Sequence, residues 1–130
     1  MSKKPILKID NLESYYGPIM AIRGVSLIVN EGQIVTVLGA NGAGKTTLLK
    51  TISGIMDPEK GTISLMDEYI QGIEPDKIVK KGITHVPEGR EVFPILSVEE
   101  NLKMGAYART DKEKILDDLN LVYDYFPILR

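Results

Sequence analysis

The chain contains no cysteine, and this absence removes disulfide frameworks, thiolate nucleophiles and cysteine-held metal sites together. It also suits a reducing compartment. A single histidine, His85, cannot form a zinc cluster alone. There is no excess of positive charge. Sixteen Lys plus Arg stand against 18 Asp plus Glu for a net charge of −2, so no global field exists to hold a polyanion, and nucleic acid is excluded as a partner. Any phosphate has to be bound locally. No apolar run approaches the roughly 18 residues of a membrane span. The amino end, Met1-Ser2-Lys3-Lys4-Pro5 with Asp10 and Glu13 close behind, lacks the apolar stretch of a secretory signal. Internal repeats, low-complexity tracts and flexible linkers are missing too. What is present is 130 residues with 43% hydrophobic content, enough for one folded domain of ordinary size.

Short β-branched clusters at Ile6–Ile9 and Val25–Val29, with Asn30-Glu31-Gly32 as turn chemistry before Ile34, predict an antiparallel hairpin there. The run Ile34-Val35-Thr36-Val37-Leu38 has the composition of a strand buried on both faces of a parallel sheet. After the glycine-rich loop that follows, Leu48, Leu49 and Ile52 recur at helical spacing as far as Gly54, a C-cap residue. Turn chemistry at Asp57–Gly61 precedes an alternating strand at Thr62–Met66. A short helix is expected over Pro75–Lys81, ended by Gly82, and a short strand over Ile83–Val86, closed by Pro87. Ser97 and Glu100 form a capping box ahead of a helix from about Val98 to Ala108. A second box is read at Thr110 and Glu113. The stripe Ile115, Leu119, Val122 and Phe126 belongs to a last helix that ends near Pro127. The pattern is α/β.

Gly39-Ala40-Asn41-Gly42-Ala43-Gly44-Lys45-Thr46 fits the P-loop pattern of Gly, four residues, then Gly-Lys-Thr. Each residue type answers a requirement of holding a triphosphate. Glycines let the backbone curl around phosphates, consecutive amides form an anion nest, and the helix that starts near Lys45 adds its positive end. Lys45 supplies charge to the β- and γ-phosphates. The Thr46 hydroxyl is a hard oxygen ligand for Mg²⁺, and Thr47 is within reach of the α-phosphate. The bland alternative is a glycine-rich turn that binds nothing, with Lys45 solvated. By composition alone, Tyr15-Tyr16-Gly17 is an aromatic turn with half-buried rings, His85 a packed or edge histidine, and Lys77, Lys80 and Lys81 a wet helix face.

Tyr16-Gly17, Gly24-Val25-Ser26-Leu27, the loop Leu38–Leu48 and the strand after Gly61-Thr62-Ile63 together resemble the ATP-binding subunit of an ABC transporter, over nearly the whole chain. Val86-Pro87-Glu88-Gly89-Arg90-Glu91-Val92-Phe93-Pro94, with Leu96–Leu102 after it, is similar to one of the two ATPase subunits of bacterial branched-chain amino acid importers. The resemblance implies a P-loop NTPase core of ABC ATPase type with an N-terminal antiparallel β portion. On that basis residues 1–96 are an incomplete RecA-like nucleotide-binding core, and residues 97–130 begin the α-helical subdomain that docks on transmembrane subunits.

It also implies ATP and Mg²⁺ as ligands, with Tyr16 stacking on adenine and residues 39–47 holding the phosphates. Glu88 falls at the position of the Q-loop glutamine. A carboxylate there is a better Mg²⁺ ligand than an amide but brings negative charge near the γ-phosphate, so it is expected either on the metal or swung outward until the site closes. The implied partners are transmembrane permease subunits and a second ATPase subunit, on the cytoplasmic face of the membrane. The signature sequence, Walker B strand and switch histidine of the family do not occur in the chain. The expectation is therefore the N-terminal half of such a subunit, a fragment with an exposed apolar edge at Val35–Leu38 that binds nucleotide without turning it over. The intact form is expected to hydrolyse ATP and drive amino acid import. A P-loop kinase or GTPase is the remaining alternative; its loop would look alike, but it need not carry Tyr16-Gly17 or the 86–102 stretch.

Overall fold

The computed structural model describes residues 3–130, which divide into two compact units, Met1–His85 and Val86–Arg130. In the first, strand β1 (Pro5–Tyr16) pairs antiparallel with β2 (Ile19–Asn30) and, on its other edge, with β3 (Lys60–Leu65), which pairs with the short β4 (Glu68–Tyr69). The sheet order is β2-β1-β3-β4. Helix α1 (Lys45–Ile52) contacts both β1 and β2. Leu48 of that helix joins Ile9, Leu12, Ile22, Ile63, Leu65 and Ile70 in one buried apolar cluster. Helix α2 (Pro75–Lys81) starts at a proline and stops at Gly82 in the left-handed region, as its sequence punctuation predicts.

The long hairpin turns at Gly17-Pro18, where Gly17 takes φ +59°, and not at Asn30-Glu31-Gly32. A turn does form at 30–33, but it sends no strand back along β2. The Asn30 amide is taken by the Gln33 side chain, and the Glu31 amide goes to the Lys4 carbonyl. The Asn30 amide is thus used within the turn, while the Glu31 amide extends the β1–β2 pairing toward Lys4. Residues 34–38 form no strand, and Ile34 and Leu38 are 95% and 88% exposed. A strand of parallel-sheet composition needs neighbours delivered by crossover connections, and among the described residues none lies beside it. Ile83–Val86 also lacks a ladder, for the same reason. Among the described residues every strand pairing is antiparallel.

Along β1 the buried positions run Ile9, Leu12, Ser14 rather than at a constant interval of two. Asn11, at φ +46°, sits where the β1–β2 register shifts, and this irregularity moves the even-numbered residues onto the inner face. A strict period-two reading of β1 would place Ser14 in solvent.

The second unit holds α3 (Val98–Met104), α4 (Lys112–Tyr125) and a 3₁₀ turn at Pro127–Leu129. The capping box at Ser97 is complete. The Glu100 amide donates to Ser97 Oγ at 3.1 Å and the Ser97 amide to Glu100 Oε2 at 2.7 Å, which holds the Glu100 carboxyl below its ordinary range. Asn101 clamps the incoming loop, accepting from the Phe93 amide at 2.8 Å and donating to the Phe93 and Ser97 carbonyls. Helix α3 stops at Gly105, short of Ala108. The second box does not form, because α4 is capped at Asp111 and not at Thr110. The Asp111 carboxylate is held by Arg109 at 2.9 and 2.6 Å, and the same guanidinium reaches Asp118 at 2.6 Å.

Candidate functional site

The segment 39–46 is curled. Gly42 and Gly44 take φ +82° and +95°, and the Ala43 amide closes a turn on the Ala40 carbonyl at 3.1 Å. The Lys45 ammonium folds back to donate to the Gly39 carbonyl, so that the two ends of the motif meet. Gly44 is the N-cap of α1, and a Cβ there would overlap the Ala21 carbonyl oxygen of β2. Only glycine satisfies both the dihedral and the close approach.

Three loop amides, those of Asn41, Gly42 and Gly44, donate to no protein acceptor among the described residues. The amides of Lys45, Thr46 and Thr47 occupy the first turn of α1, where a helix supplies no internal acceptor. Six N–H groups, one ammonium and the exposed Thr46 hydroxyl thus gather around one short loop, with no carboxylate between Gly39 and Thr47. That donor set fits a polyphosphate. One hydroxyl oxygen also fits Mg²⁺, which keeps several waters and takes further oxygens from substrate phosphates. Among the described residues no cluster of His, Cys, Asp and Glu offers an all-protein metal cage.

The structure brings Gly39, Ala40, Asn41, Gly42, Ala43, Gly44, Lys45 and Thr46 into this one loop and helix start. Thr47 lies on the same helix turn but is only 8% exposed. Tyr16, 65% exposed, stands at the hairpin end of the same compact unit. Glu88 lies in the other unit, exposed, in a bend beside Gly89. His85 is on a loop rather than a strand, and its Nδ1 is 3.3 Å from Ser53 Oγ at the C-cap of α1. Sequence reasoning missed Ala21, whose carbonyl backs the loop, and the buried pair Ser14 and Thr51. Backbone approach leaves no side-chain signature, and a serine or threonine inside an element reads as a wet residue.

The profile of the ABC transporter family matches residues 22–127. The chain belongs to this family. Among curated relatives, the high-affinity branched-chain amino acid transport ATP-binding protein BraG of Pseudomonas aeruginosa is 44% identical over 125 residues, spanning 96% of this chain and 53% of that protein. The probable branched-chain amino acid transport ATP-binding protein LivF of Archaeoglobus fulgidus is 36% identical over 125 residues, 96% of this chain and 52% of its own length. A solved structure described as the ADP conformation of an ATP-binding cassette of an ABC transporter superposes with a TM-score of 0.71 at 29% identity, over 86% of this chain and 44% of that one. Import ATP-binding proteins for other substrates match as well, such as one for spermidine and putrescine at 35% identity. The chain spans about half the length of the curated relatives it matches. Among the described residues no helix is long and apolar enough to cross a membrane.

Proposed function

We propose that the chain binds ATP with Mg²⁺ through residues 39–47, and that the intact protein hydrolyses ATP to drive import of branched-chain amino acids. The observation that carries this reading is the curled loop at the start of α1, with its unsatisfied amides and the Lys45 ammonium drawn to its mouth. Such a nest binds an anion by backbone geometry, and the ammonium places a full charge at the β- and γ-phosphates. Thr46 is the protein oxygen for Mg²⁺, which when bound neutralises charge on the phosphate oxygens. Tyr16 offers its exposed ring to the adenine. Glu88 is assigned to the coupling position, on the metal side or outward. The choice of branched-chain amino acids rests on BraG and LivF, whose names carry that substrate. Transmembrane permease subunits and a second ATPase subunit are the matching partners, with the protein on the cytoplasmic face of the membrane.

The 130-residue chain by itself holds nucleotide without turnover, because it carries no Walker B strand to position the attacking water. Titration with a fluorescent ATP analogue tests the first claim: Lys45→Ala should abolish binding, and an unchanged affinity refutes the phosphate-loop reading. Steady-state phosphate release tests the second. Turnover by the purified chain that disappears with Lys45→Ala would overturn binding without hydrolysis.

A further inference from the structure

Helix α1 is seated on the β1–β2 hairpin at two places. At its start, Gly44 lies against the Ala21 backbone. Near its far end, Thr51 meets Ser14 across 37 residues of sequence, with the two hydroxyl oxygens 3.2 Å apart. Ser14 pairs with Ile22 in the hairpin ladder, next to Ala21, so both seats bear on one stretch of sheet. Ser14 is 0% exposed and Thr51 is also buried, in the unit whose apolar core is Ile9, Leu12, Ile22, Leu48, Ile63, Leu65 and Ile70.

The geometry of the pair is directional. Thr51 Oγ1 lies 2.7 Å from the Thr47 carbonyl and donates its one proton there. It is left to accept from Ser14, so a chain of hydrogen bonds runs from β1 through Thr51 to the first turn of α1, where Lys45 and Thr46 sit. Ser14 and Tyr16 are two residues apart on β1, Ser14 buried and Tyr16 exposed, with the β1–β2 register shifting between Ser14 and Tyr15. An apolar pair of the same shape would fill the space as well. What the hydroxyls add is a fixed offset between the strand that carries Tyr16 and the helix that carries the loop.

We propose that Ser14 and Thr51 are a positioning pair for the nucleotide, setting the Tyr16 ring relative to the phosphate loop and so acting on the adenine-dependent part of binding. The proposal rests on the reading of residues 39–46 as a triphosphate loop and of Tyr16 as the base platform.

The test compares Mg-ATP with Mg-tripolyphosphate, which lacks the base, by calorimetric titration of the purified chain and its variants. Thr51→Val and Ser14→Ala should weaken ATP about three- to tenfold, a part of what base stacking contributes, and leave tripolyphosphate within about twofold. Thr51→Ser keeps both hydrogen bonds and should retain the original ratio of affinities. In a Tyr16→Ala background, Thr51→Val should add no further loss for ATP. Equal losses for both ligands, or unchanged ATP binding in variants with unaltered circular dichroism, would overturn the positioning role. So would failure of Thr51→Ser to preserve the ratio, or no change in it with Tyr16→Ala. Should Thr51→Val not fold, Ser14→Ala and Thr51→Ser decide the question. Failure of the unsubstituted chain to bind either ligand would instead overturn the phosphate-loop reading beneath it.

Discussion

In the unit Met1–His85, apolar side chains from three strands and a helix close on one another until Ile9, Leu12 and Ile63 have essentially no contact with solvent. In the unit Val86–Arg130, neither α3 nor α4 buries a single residue. There Leu102, Ile115, Leu119 and Val122 line a groove that remains open, and Phe126 and Ile128 are exposed. Order in the second unit comes from polar clamps, namely the Ser97–Glu100 box, the Asn101 bridges and the Arg109 fork between Asp111 and Asp118. Two kinds of stability thus coexist in one chain. Packing is cooperative and costly to disturb, whereas exposed caps and ion pairs each contribute about 1 kcal/mol or less.

The contrast breaks if both units respond alike to truncation of an apolar side chain. Ile63→Ala should lower stability by about 2–5 kcal/mol in chemical denaturation. Leu119→Ala, on a half-buried stripe, should cost well under half of that, and equal losses would reveal a second packed core.

A smaller but more focused effect is expected at the boundary between core and loop. Gly44→Ala must adopt φ +95° and overlaps the Ala21 carbonyl, so it should destabilise the first unit by about 1–3 kcal/mol and abolish triphosphate binding. Full ATP affinity in that variant would mean that α1 need not be seated on β2.

Ser97→Ala should cost about 1 kcal/mol, read as faster amide exchange in the first turn of α3 with the sheet unaffected. Spread of the change into β1 or β3 would contradict the separation of the two units.

The smallest effect is electrostatic. The Arg109 guanidinium holds the Asp111 carboxyl down at about 2, from an ordinary 3.8. A carboxyl depressed on folding contributes stability that is complete above 3.8 and lost as pH falls toward 2. The helix signal of α4 should therefore weaken across that window and not above it. Asp111→Asn should remove this step from an acid titration followed by circular dichroism.

Local chemistry was legible from sequence wherever neighbours in the chain satisfy one another. The α2 bounds, the Ser97 box and the P-loop with α1 behind it are all short-range patterns of glycine, proline and capping residues. The hairpin turn was misplaced because Asn30-Glu31-Gly32 has turn composition and does form a turn. Nothing local reveals that Gln33 takes the Asn30 amide, or that β1 reaches β2 through Gly17-Pro18. The second capping box failed for a similar reason, since Arg109 and Asp111 settle the start of α4 between them.

At the candidate site, the amino acid order alone determined which donors gather in one loop, because a run of consecutive residues brings its own amides, ammonium and hydroxyl. Tertiary structure decided where that loop is braced. The Ala21 carbonyl behind Gly44 and the Ser14 hydroxyl on Thr51 come from strands folded against α1, and the register irregularity at Asn11 turns Ser14 inward. It also decided that residues 34–38 pair with nothing among the described residues: a strand's composition records how deeply it is meant to be buried, but a ladder exists only where another strand supplies donors and acceptors.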